Sequence, residues 1–316
     1  ADPATLELVG AVHAGSEPDV YVADGECAEI STGAVMPDGA DAVVMVEKTD
    51  EVGSEGEAIE IRTSVAPGNS VMPAGADIAA GQRALGPGTE LTPREIGLLS
   101  ALGRAEVEVR GQPTVGIVST GDELVRPGGD LDSDAGQIYD VNSYTIAAGV
   151  EEAGGEAKLY PHAGDDMDAM EEALVSAAEE CDLVLSSGST SASAVDVVYR
   201  VIENRGELLL HGVSIKPGKP MLVGRLEDSA YVGLPGYPVS ALTIFRTFVA
   251  PAIRRAAGVP EPRTATVEGT LAAEERYSEG RTRLMPVGLV ENEAGETLVY
   301  PVDKGSGATT SLVEAD

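Results

Sequence analysis

The chain has 316 residues, enough for two or three domains, and its 43% hydrophobic content is that of a folded protein rather than a disordered one. The formal net charge is −32, which excludes nonspecific nucleic-acid binding through neutralised phosphates. No apolar run reaches the roughly 18 residues that a membrane-spanning helix needs, so no membrane association is predicted.

The acidic composition favours a very salty cytoplasm. The chain has 53 acidic residues and only five lysines. In molar salt the Debye length falls to about 3 Å, so the mutual repulsion of these carboxylates is largely screened. We therefore expect a cytoplasmic protein of a halophilic organism, specifically a haloarchaeon; an acidic mesophilic protein is the alternative. Cys27 and Cys181 have no metal-ligand spacing, and we expect reduced, buried thiols.

The first part of the chain predicts strands. Residues 1–85 contain short β-branched segments, such as "AEISTGAV" and "DAVVMVEKTD", which are broken by Gly, Pro and Asp and indicate a β-rich domain. Residues 86–112 follow as a helical linker segment. Its helix is predicted to have Thr92 as the N-cap and Pro93 as the first helical residue.

Residues 113–255 predict an α/β domain. The apolar runs "TVGIVST", "CDLVLSSGS" and "AYVGLPG" indicate buried strands, and they alternate with helical segments, including one long helix in "PVSALTIFRTFVAPAIRRAAG". Such an alternation, without polar positions inside the strands, predicts a parallel sheet covered on both faces, which is a three-layer α/β domain. Residues 256–316 return to short strands and predict a small β domain, so the α/β domain is flanked by β domains.

Polar segments follow four of the predicted strands. In an open parallel sheet, ligands bind beyond the carboxyl ends of the strands. The segments there are "STGDEL" (119–124), "PHAGDD" (161–166), "SGSTSASAVD" (187–196) and "LPGYPVSA" (234–241). Small residues let backbone N–H groups approach an anion, and carboxylates beside a phosphate indicate a divalent cation. Each segment taken alone also fits an ordinary surface loop or helix cap, and Asp165 or Asp166 is expected to cap the next helix.

Two of the five lysines lie on one proline-stiffened segment, "VSIKPGKPMLVG" (213–224). In a protein whose overall field repels anions, Lys216 and Lys219 would supply the positive charge that an oxyanion needs. A solvated turn shaped by its prolines is the alternative. Neither a dinucleotide fingerprint nor a Walker P-loop occurs in the sequence.

These motifs, in this order, resemble the MoeA family of molybdopterin molybdenumtransferases, which includes the gephyrin E domain. The upstream segment "STGAVMPDGADAVVMVE" (31–47) is also similar, so the resemblance covers nearly the whole chain. It implies insertion of molybdenum from molybdate into adenylylated molybdopterin with release of AMP, and dependence on Mg²⁺. It further implies a homodimer, a C-terminal β barrel, and an upstream molybdopterin adenylyltransferase that supplies the substrate.

The resemblance also implies a set of site residues. Glu123, Asp165, Asp196 and Lys216, with Lys219, form its catalytic centre, and Glu123 and Asp196 are the expected Mg²⁺ ligands. The partner subunit is expected to offer three residues: Thr32, Glu47 and Asp77. The expected substrate-binding residues at the strand ends are Ser119, Thr120, Gly121, Asp122, Ser187, Gly188, Ser189, Ser191, Pro235, Gly236 and Ser240.

Some positions depart from the family pattern. Ser189 and Ser193 stand where the family's loop has glycines, which obstructs a backbone that needs positive φ or very close approach. The family's "DG[FY]A" segment is expected to precede residue 1. Three alternatives therefore stay open: a catalytically impaired molybdopterin-binding or scaffold relative, a homologue that uses tungstate, and another nucleotide-dependent enzyme on the same fold.

Overall fold

The computed structural model describes residues 3–53, 57–164, 166–188, 192–262, 265–274, 280–302 and 304–315, without the side chains of 192–197. By their internal contacts, the residues form two compact units, 1–89 and 90–316. No described helix is long and apolar enough to cross a membrane.

The first unit contains one four-stranded sheet. Its strands are β1 (Ala4–Val12), β2 (Glu26–Ile30), β3 (Thr49–Val52) and β4 (Ala58–Ile61), in the spatial order β2-β1-β4-β3. Strand β1 runs parallel to β2 and antiparallel to β4. Among the described residues of this unit, only Val12, Val22 and Pro37 are buried, so the sheet covers a small core.

The second unit contains the remaining elements. In chain order they are α1 (Pro93–Ala101), β5 (Thr114–Ser119), β6 (Leu124–Val125), β7 (Ile138–Tyr139), α2 (Asn142–Glu152), β8 (Glu156–Leu159), α3 (Met167–Glu180), β9 (Leu183–Ser187), α4 (Ala192–Arg205), β10 (Gly206–His211), β11 (Ile215–Lys216), β12 (Leu222–Leu226), β13 (Ser229–Leu234), α5 (Pro238–Ile244), α6 (Ala250–Ala257), β14 (Thr270–Leu271), β15 (Thr282–Arg283), β16 (Val287–Glu291), β17 (Thr297–Pro301) and α7 (Thr310–Val313). Helix α1 begins at Pro93 as predicted, and the Glu95 carboxylate accepts the N–H of Thr92 at 3.0 Å.

A six-stranded sheet lies at the centre of this unit, in the order β10-β12-β13-β9-β5-β8. Strands β13, β9, β5 and β8 are mutually parallel, as the apolar runs predict. Strand β12 runs antiparallel to both of its neighbours, β13 and β10, and the sequence did not predict this reversal. The physical reason is the two-residue connection of Glu227 and Asp228 between β12 and β13, which is too short for a parallel crossover.

Helices cover both faces of the sheet, which confirms the three-layer fold class. Val115 and Ile117 of β5 pack with α2, α5 and α6 on one face. Val118 of the same strand packs with α3 and α4 on the other face. Because successive side chains of a strand point to opposite faces, a continuous apolar run serves both layers.

The long helix predicted near the end of this domain is interrupted. Helix α5 passes into a π-helical turn over Phe245–Val249 before α6 begins. The N–H of Ala250 donates to the carbonyl of Phe245, five residues earlier. Pro251 follows directly, and a proline lacks an N–H and clashes with the carbonyl four residues before it, so the wider turn accommodates the ring.

The C-terminal region forms a small sheet of β14, β17 and β16 in that order among the described residues. Strand β15 leaves this sheet and pairs in parallel with β11. Closure of the region into a barrel stays a prediction.

Asp182 connects the amino ends of the two central strands. Its carboxylate accepts the N–H of Thr114 at 2.7 Å and the Thr114 hydroxyl at 2.8 Å. These two hydrogen bonds lower the pKa of Asp182. A carboxyl group with a lowered folded-state pKa stabilises the fold above its unfolded pKa of about 3.9, and the contribution is lost as pH falls through the folded value.

We predict that Asp182→Asn lowers the free energy of unfolding at pH 7 by no more than about 1 kcal/mol, because the carboxylate is exposed to solvent. The difference from wild type should shrink as the pH is lowered from about 4 to about 2. Urea unfolding at a series of pH values measures it, with Asp228→Asn in the exposed β12–β13 turn as the control. A difference that stays constant across this range contradicts the role assigned to the charge.

Candidate active site

The carboxyl ends of three parallel strands form the floor of the candidate site. The register places Ser119 of β5 opposite Ser187 of β9, and Ser187 opposite Leu234 of β13. The N–H of Thr120 donates to the carbonyl of Ser187 at 3.0 Å, which extends the pairing by one residue. Ser119, Thr120 and Ser187 are all at most 3% exposed, so their hydroxyls belong to the structure of the floor.

Glycines allow the loops beyond these strands to lie unusually close together. Gly188 has φ +100°, and a Cβ at this position would lie 2.3 Å from the carbonyl oxygen of Thr120. A Cβ at Gly236 would lie 3.3 Å from the Cα of Gly188. The predicted substrate-binding loops after β5, β9 and β13 are therefore in backbone contact, and Pro235 between them is buried.

Asn142, which sequence reasoning missed, joins two of these loops. Its side-chain N–H groups donate to the Ser187 hydroxyl at 2.8 Å and to the carbonyl of Gly236 at 2.7 Å. It is the first residue of α2, and Asp140 stabilises that helix start by accepting the N–H of Ser143 at 3.0 Å. The available sequence signal was an amide residue at a helix start between the polar loops, which alone does not reveal its partners.

An acidic turn lies at the end of β5. The N–H of Leu124 donates to the carbonyl of Gly121 at 3.1 Å and closes a turn with Asp122 and Glu123 at its centre. The Glu123 carboxylate lies over Gly121, where a Cβ would be 2.5 Å from Oε2. Asp122 lies against Gly164 of the β8–α3 loop, where a Cβ would be 2.7 Å from Oδ1. Two carboxylates thus lie together at this edge of the sheet.

Other predicted acids and serines lie outside the described residues. These are Asp165, Ser189, Ser191 and the side chain of Asp196, whose backbone belongs to α4. Asp166 is the N-cap of α3 and accepts the N–H of Ala169 at 2.8 Å. This confirms the prediction that Asp165 or Asp166 caps this helix. No group of three or more metal-ligating side chains occurs in the part of the chain that the structure describes, so the Mg²⁺ ligands stay a prediction.

The lysine loop packs against the helix that begins at the same edge. Gly218, between the two lysines, has φ +114°, and a Cβ there would lie 2.5 Å from Ile244 and 3.8 Å from the carbonyl of Ser240, both on α5. The Lys216 and Lys219 side chains are exposed. Neither forms an ion pair with another described residue. Helix α5 starts two residues after Gly236, so the loop lies on the β13 side of the floor.

The acidic turn and the lysine loop therefore flank the floor from opposite sides. The acidic turn follows β5, α5 follows β13, and β9 lies between these strands. Neighbouring strands are about 4.8 Å apart, so the two strand ends are separated by roughly 10 Å.

Arg283 is a second residue that the sequence reading missed. Strand β15 pairs with β11 in the register Ile215 to Thr282 and Lys216 to Arg283, and the N–H of Leu284 donates to the carbonyl of Lys216 at 2.9 Å. Partners in adjacent strands place their side chains on the same face, so Arg283 adds cationic charge beside Lys216. The sequence signal was the local "RTR" in a chain poor in basic residues.

Thr32, Glu47 and Asp77 lie in the first unit. Glu47 is in a short 3₁₀ turn (Val46–Lys48), and Thr32 and Asp77 are in irregular segments. All three side chains are exposed.

Comparison with known families gives matches along nearly the whole chain. A probable molybdopterin binding domain matches residues 116–255. The MoeA N-terminal region (domain I and II) matches residues 1–103, and the MoeA C-terminal region (domain IV) matches residues 268–316.

Individual relatives agree with these matches. Molybdopterin molybdenumtransferase 2 of Mycobacterium tuberculosis is 35% identical over 307 residues, which are 95% of this chain and 74% of that protein. The molybdopterin molybdenumtransferase of Nostoc is 34% identical over 313 residues, 98% of this chain and 70% of that protein. The solved structure of a molybdopterin biosynthesis MoeA protein from Pyrococcus horikoshii has a TM-score of 0.81 and 37% identity, over 99% of this chain and 76% of that one.

The fold and the strand-end site define a molybdopterin-binding α/β protein with flanking β regions. The chain belongs to the MoeA family of molybdopterin molybdenumtransferases. The family, the transferase class and the role in molybdenum cofactor biosynthesis that the sequence predicts are thereby confirmed.

The close contact at Gly188 generates a test with a matched control. Gly128 also has positive φ, +88°, but a Cβ there would meet nothing within 4 Å. We predict that Gly188→Ala destabilises the protein by about 1–3 kcal/mol more than Gly128→Ala, because only the former drives a methyl group into the Thr120 carbonyl. Urea unfolding of the two variants measures this difference, and equal destabilisation would show that the strand ends are not tightly packed.

Proposed function

We propose that this chain inserts molybdenum from molybdate into the dithiolene of adenylylated molybdopterin and releases AMP. The observation that carries the proposal is the floor of small and hydroxyl residues at three strand ends, with carboxylates on one side and lysines on the other. A molybdopterin adenylate is an anion with a phosphoanhydride, so it needs close backbone donors, cationic charge and acidic groups within one cleft.

The lysine loop would hold the anionic part of the substrates. Lys216 and Lys219 are exposed and have no ion pair among the described residues, so their charge is available to molybdate or to the terminal phosphate. The pairing of β15 with β11 places Arg283 in register with Lys216. In a protein with a net charge of −32, a local cationic group is required to offset the general repulsion of anions.

The strand-end residues would orient the pterin and the phosphates. Gly188 and Gly236 let the loops beyond the strands lie in backbone contact, which would bring backbone N–H groups together for an anionic ligand. The Thr120 hydroxyl donates to the carbonyl of Ser187 at 3.3 Å, and the hydroxyls of Ser119 and Ser187 bond to Ser143 and Asn142 of α2. Ser240, in the first turn of α5, is 4% exposed, and its carbonyl oxygen lies 3.8 Å from the Cβ position of Gly218 in the lysine loop.

The acidic residues suit a hard divalent cation. Asp122 and Glu123 present carboxylate oxygens at the same edge, which is the donor type that Mg²⁺ prefers. Glu123 and Asp196 would hold Mg²⁺, and Asp165 would belong to the same catalytic centre. When bound, Mg²⁺ supplies Lewis-acid polarisation of the phosphoanhydride.

A homodimer would complete the site. Thr32, Glu47 and Asp77 are exposed polar residues on the first unit, and the partner subunit would present them to the strand-end floor. A twofold-symmetric dimer has two such sites, each built from both chains. The setting would be the cytoplasm of a haloarchaeon, where an upstream molybdopterin adenylyltransferase supplies the substrate and high salt screens the acidic surface.

We predict that the protein releases AMP from adenylylated molybdopterin only when both molybdate and Mg²⁺ are present. The assay uses molar potassium chloride and follows AMP by chromatography, with the metal content of the pterin product measured in parallel. Tight pterin binding without AMP release would support the scaffold alternative instead. Equal product formation from tungstate would show that the site does not discriminate between these two tetrahedral dianions.

The shared site gives a second prediction through subunit mixing. Asp196→Ala and Asp77→Ala should each abolish AMP release while leaving the dimer intact. Random mixing of the two variants makes half of the dimers mixed, and each mixed dimer contains one intact site, so about a quarter of wild-type activity should return. Size-exclusion chromatography before and after mixing verifies the dimer. No recovery on mixing, with exchange of subunits demonstrated, rules out a site built from two chains.

A further inference from the structure

His162 lies between the two loops that carry the acidic residues. Its Nε2 is 2.6 Å from the carbonyl oxygen of Gly121. A carbonyl oxygen can only accept a hydrogen bond, so the imidazole donates from Nε2. His162 is half-buried and comes from the β8–α3 segment, whereas Gly121 follows β5. The ring therefore connects two loops that are 41 residues apart in the chain.

The carbonyl that His162 contacts is the one that closes the acidic turn. The same oxygen accepts the N–H of Leu124 at 3.1 Å, and the two residues between them are Asp122 and Glu123. A second donor on this oxygen restrains the orientation of the Gly121 peptide group. Gly121 has φ +127° and no side chain that could limit its backbone rotation. The hydrogen bond from His162 therefore restrains the backbone of the turn directly.

The segment that carries His162 is itself fixed against β5. The N–H of Tyr160 donates to the carbonyl of Ile117 at 3.0 Å, and the N–H of Ala163 donates to the carbonyl of Ser119 at 3.2 Å. The next residue, Gly164, lies against the Asp122 carboxylate. His162 thus lies between two residues whose backbone N–H groups are bonded to β5. Its imidazole is therefore a rigidly held donor rather than a mobile surface side chain.

We propose that His162 is a positioning residue, which sets the acidic turn so that Glu123 is held over the strand-end floor. The inference rests on the proposed function for its catalytic consequence, because Glu123 is the acid assigned to the reaction. It goes beyond that function in assigning a role to His162, whose imidazole donates to the Gly121 carbonyl. His162 acts through the Gly121 peptide and is not assigned contact with the substrate.

A purely space-filling role is the competing explanation. His162 also lines a pocket of about 130 Å³ together with Ser119, Asp140, Tyr144 and Tyr160. If the ring only fills this wall, a large apolar side chain should serve as well as an imidazole. If the Nε2 hydrogen bond matters, glutamine should serve and leucine should not, because the glutamine amide places an N–H donor at a similar distance from the Cα.

The experiment compares His162→Leu and His162→Gln, with His13→Leu as the control at an exposed histidine in the first unit. Hydrogen exchange of the peptide that contains Leu124 reports on the turn without any need for activity. Loss of the hydrogen bond in His162→Leu should speed exchange by about three- to tenfold, and His162→Gln should remain within about twofold of wild type. His13→Leu should exchange as wild type does.

Kinetics supply the second readout. In the AMP-release assay, His162→Leu should lower kcat about three- to tenfold with the KM for adenylylated molybdopterin changed less than about twofold, and His162→Gln should restore kcat. Unchanged exchange in His162→Leu, or exchange in His162→Gln as fast as in His162→Leu, overturns the proposal. If the wild type releases no AMP, the proposed function fails, and the exchange data alone then decide whether His162 sets the turn.

Discussion

The site depends on how closely three strand ends approach each other. Beyond β5, β9 and β13 the chain must pass at backbone-contact distance, and the most stringent contact is that of Gly188 with the carbonyl of Thr120. The buried hydroxyls of Ser119 and Ser187 and the amide of Asn142 then satisfy the polar groups that this crowding desolvates. The result is a compact floor of small and hydroxyl residues at the three strand ends.

Two of the few lysines of the chain lie near this floor. The chain carries five lysines and a net charge of −32, yet two lysines flank one proline-stiffened turn on α5. The pairing of β11 with β15 adds Arg283 from the C-terminal region. Carboxylates gather on the opposite side, on the turn after β5. The acidic turn and the lysine loop thus belong to different strand ends of the same floor, in a chain that is otherwise strongly acidic.

Several parts of the architecture were accessible from local patterns, and others were not. The apolar runs of β5, β9 and β13 predicted a parallel sheet because both faces are covered. The antiparallel strands β10 and β12 escaped prediction because exposed Leu209 and the Gly-containing β12 give no clear alternation. The long final helix was predicted without its π-helical turn, although Pro251 is a local signal for such an interruption.

The sequence by itself determined the family, the layered fold class and the loops that form the site, because these follow from periodicity, glycine placement and ordered motifs. Only the tertiary structure decided which atoms meet. Asn142 bridges Ser187 and Gly236, His162 reaches Gly121, and Arg283 lies beside Lys216. Each of these contacts joins residues at least 41 positions apart, and such a pairing is fixed by strand order and register rather than by any local pattern.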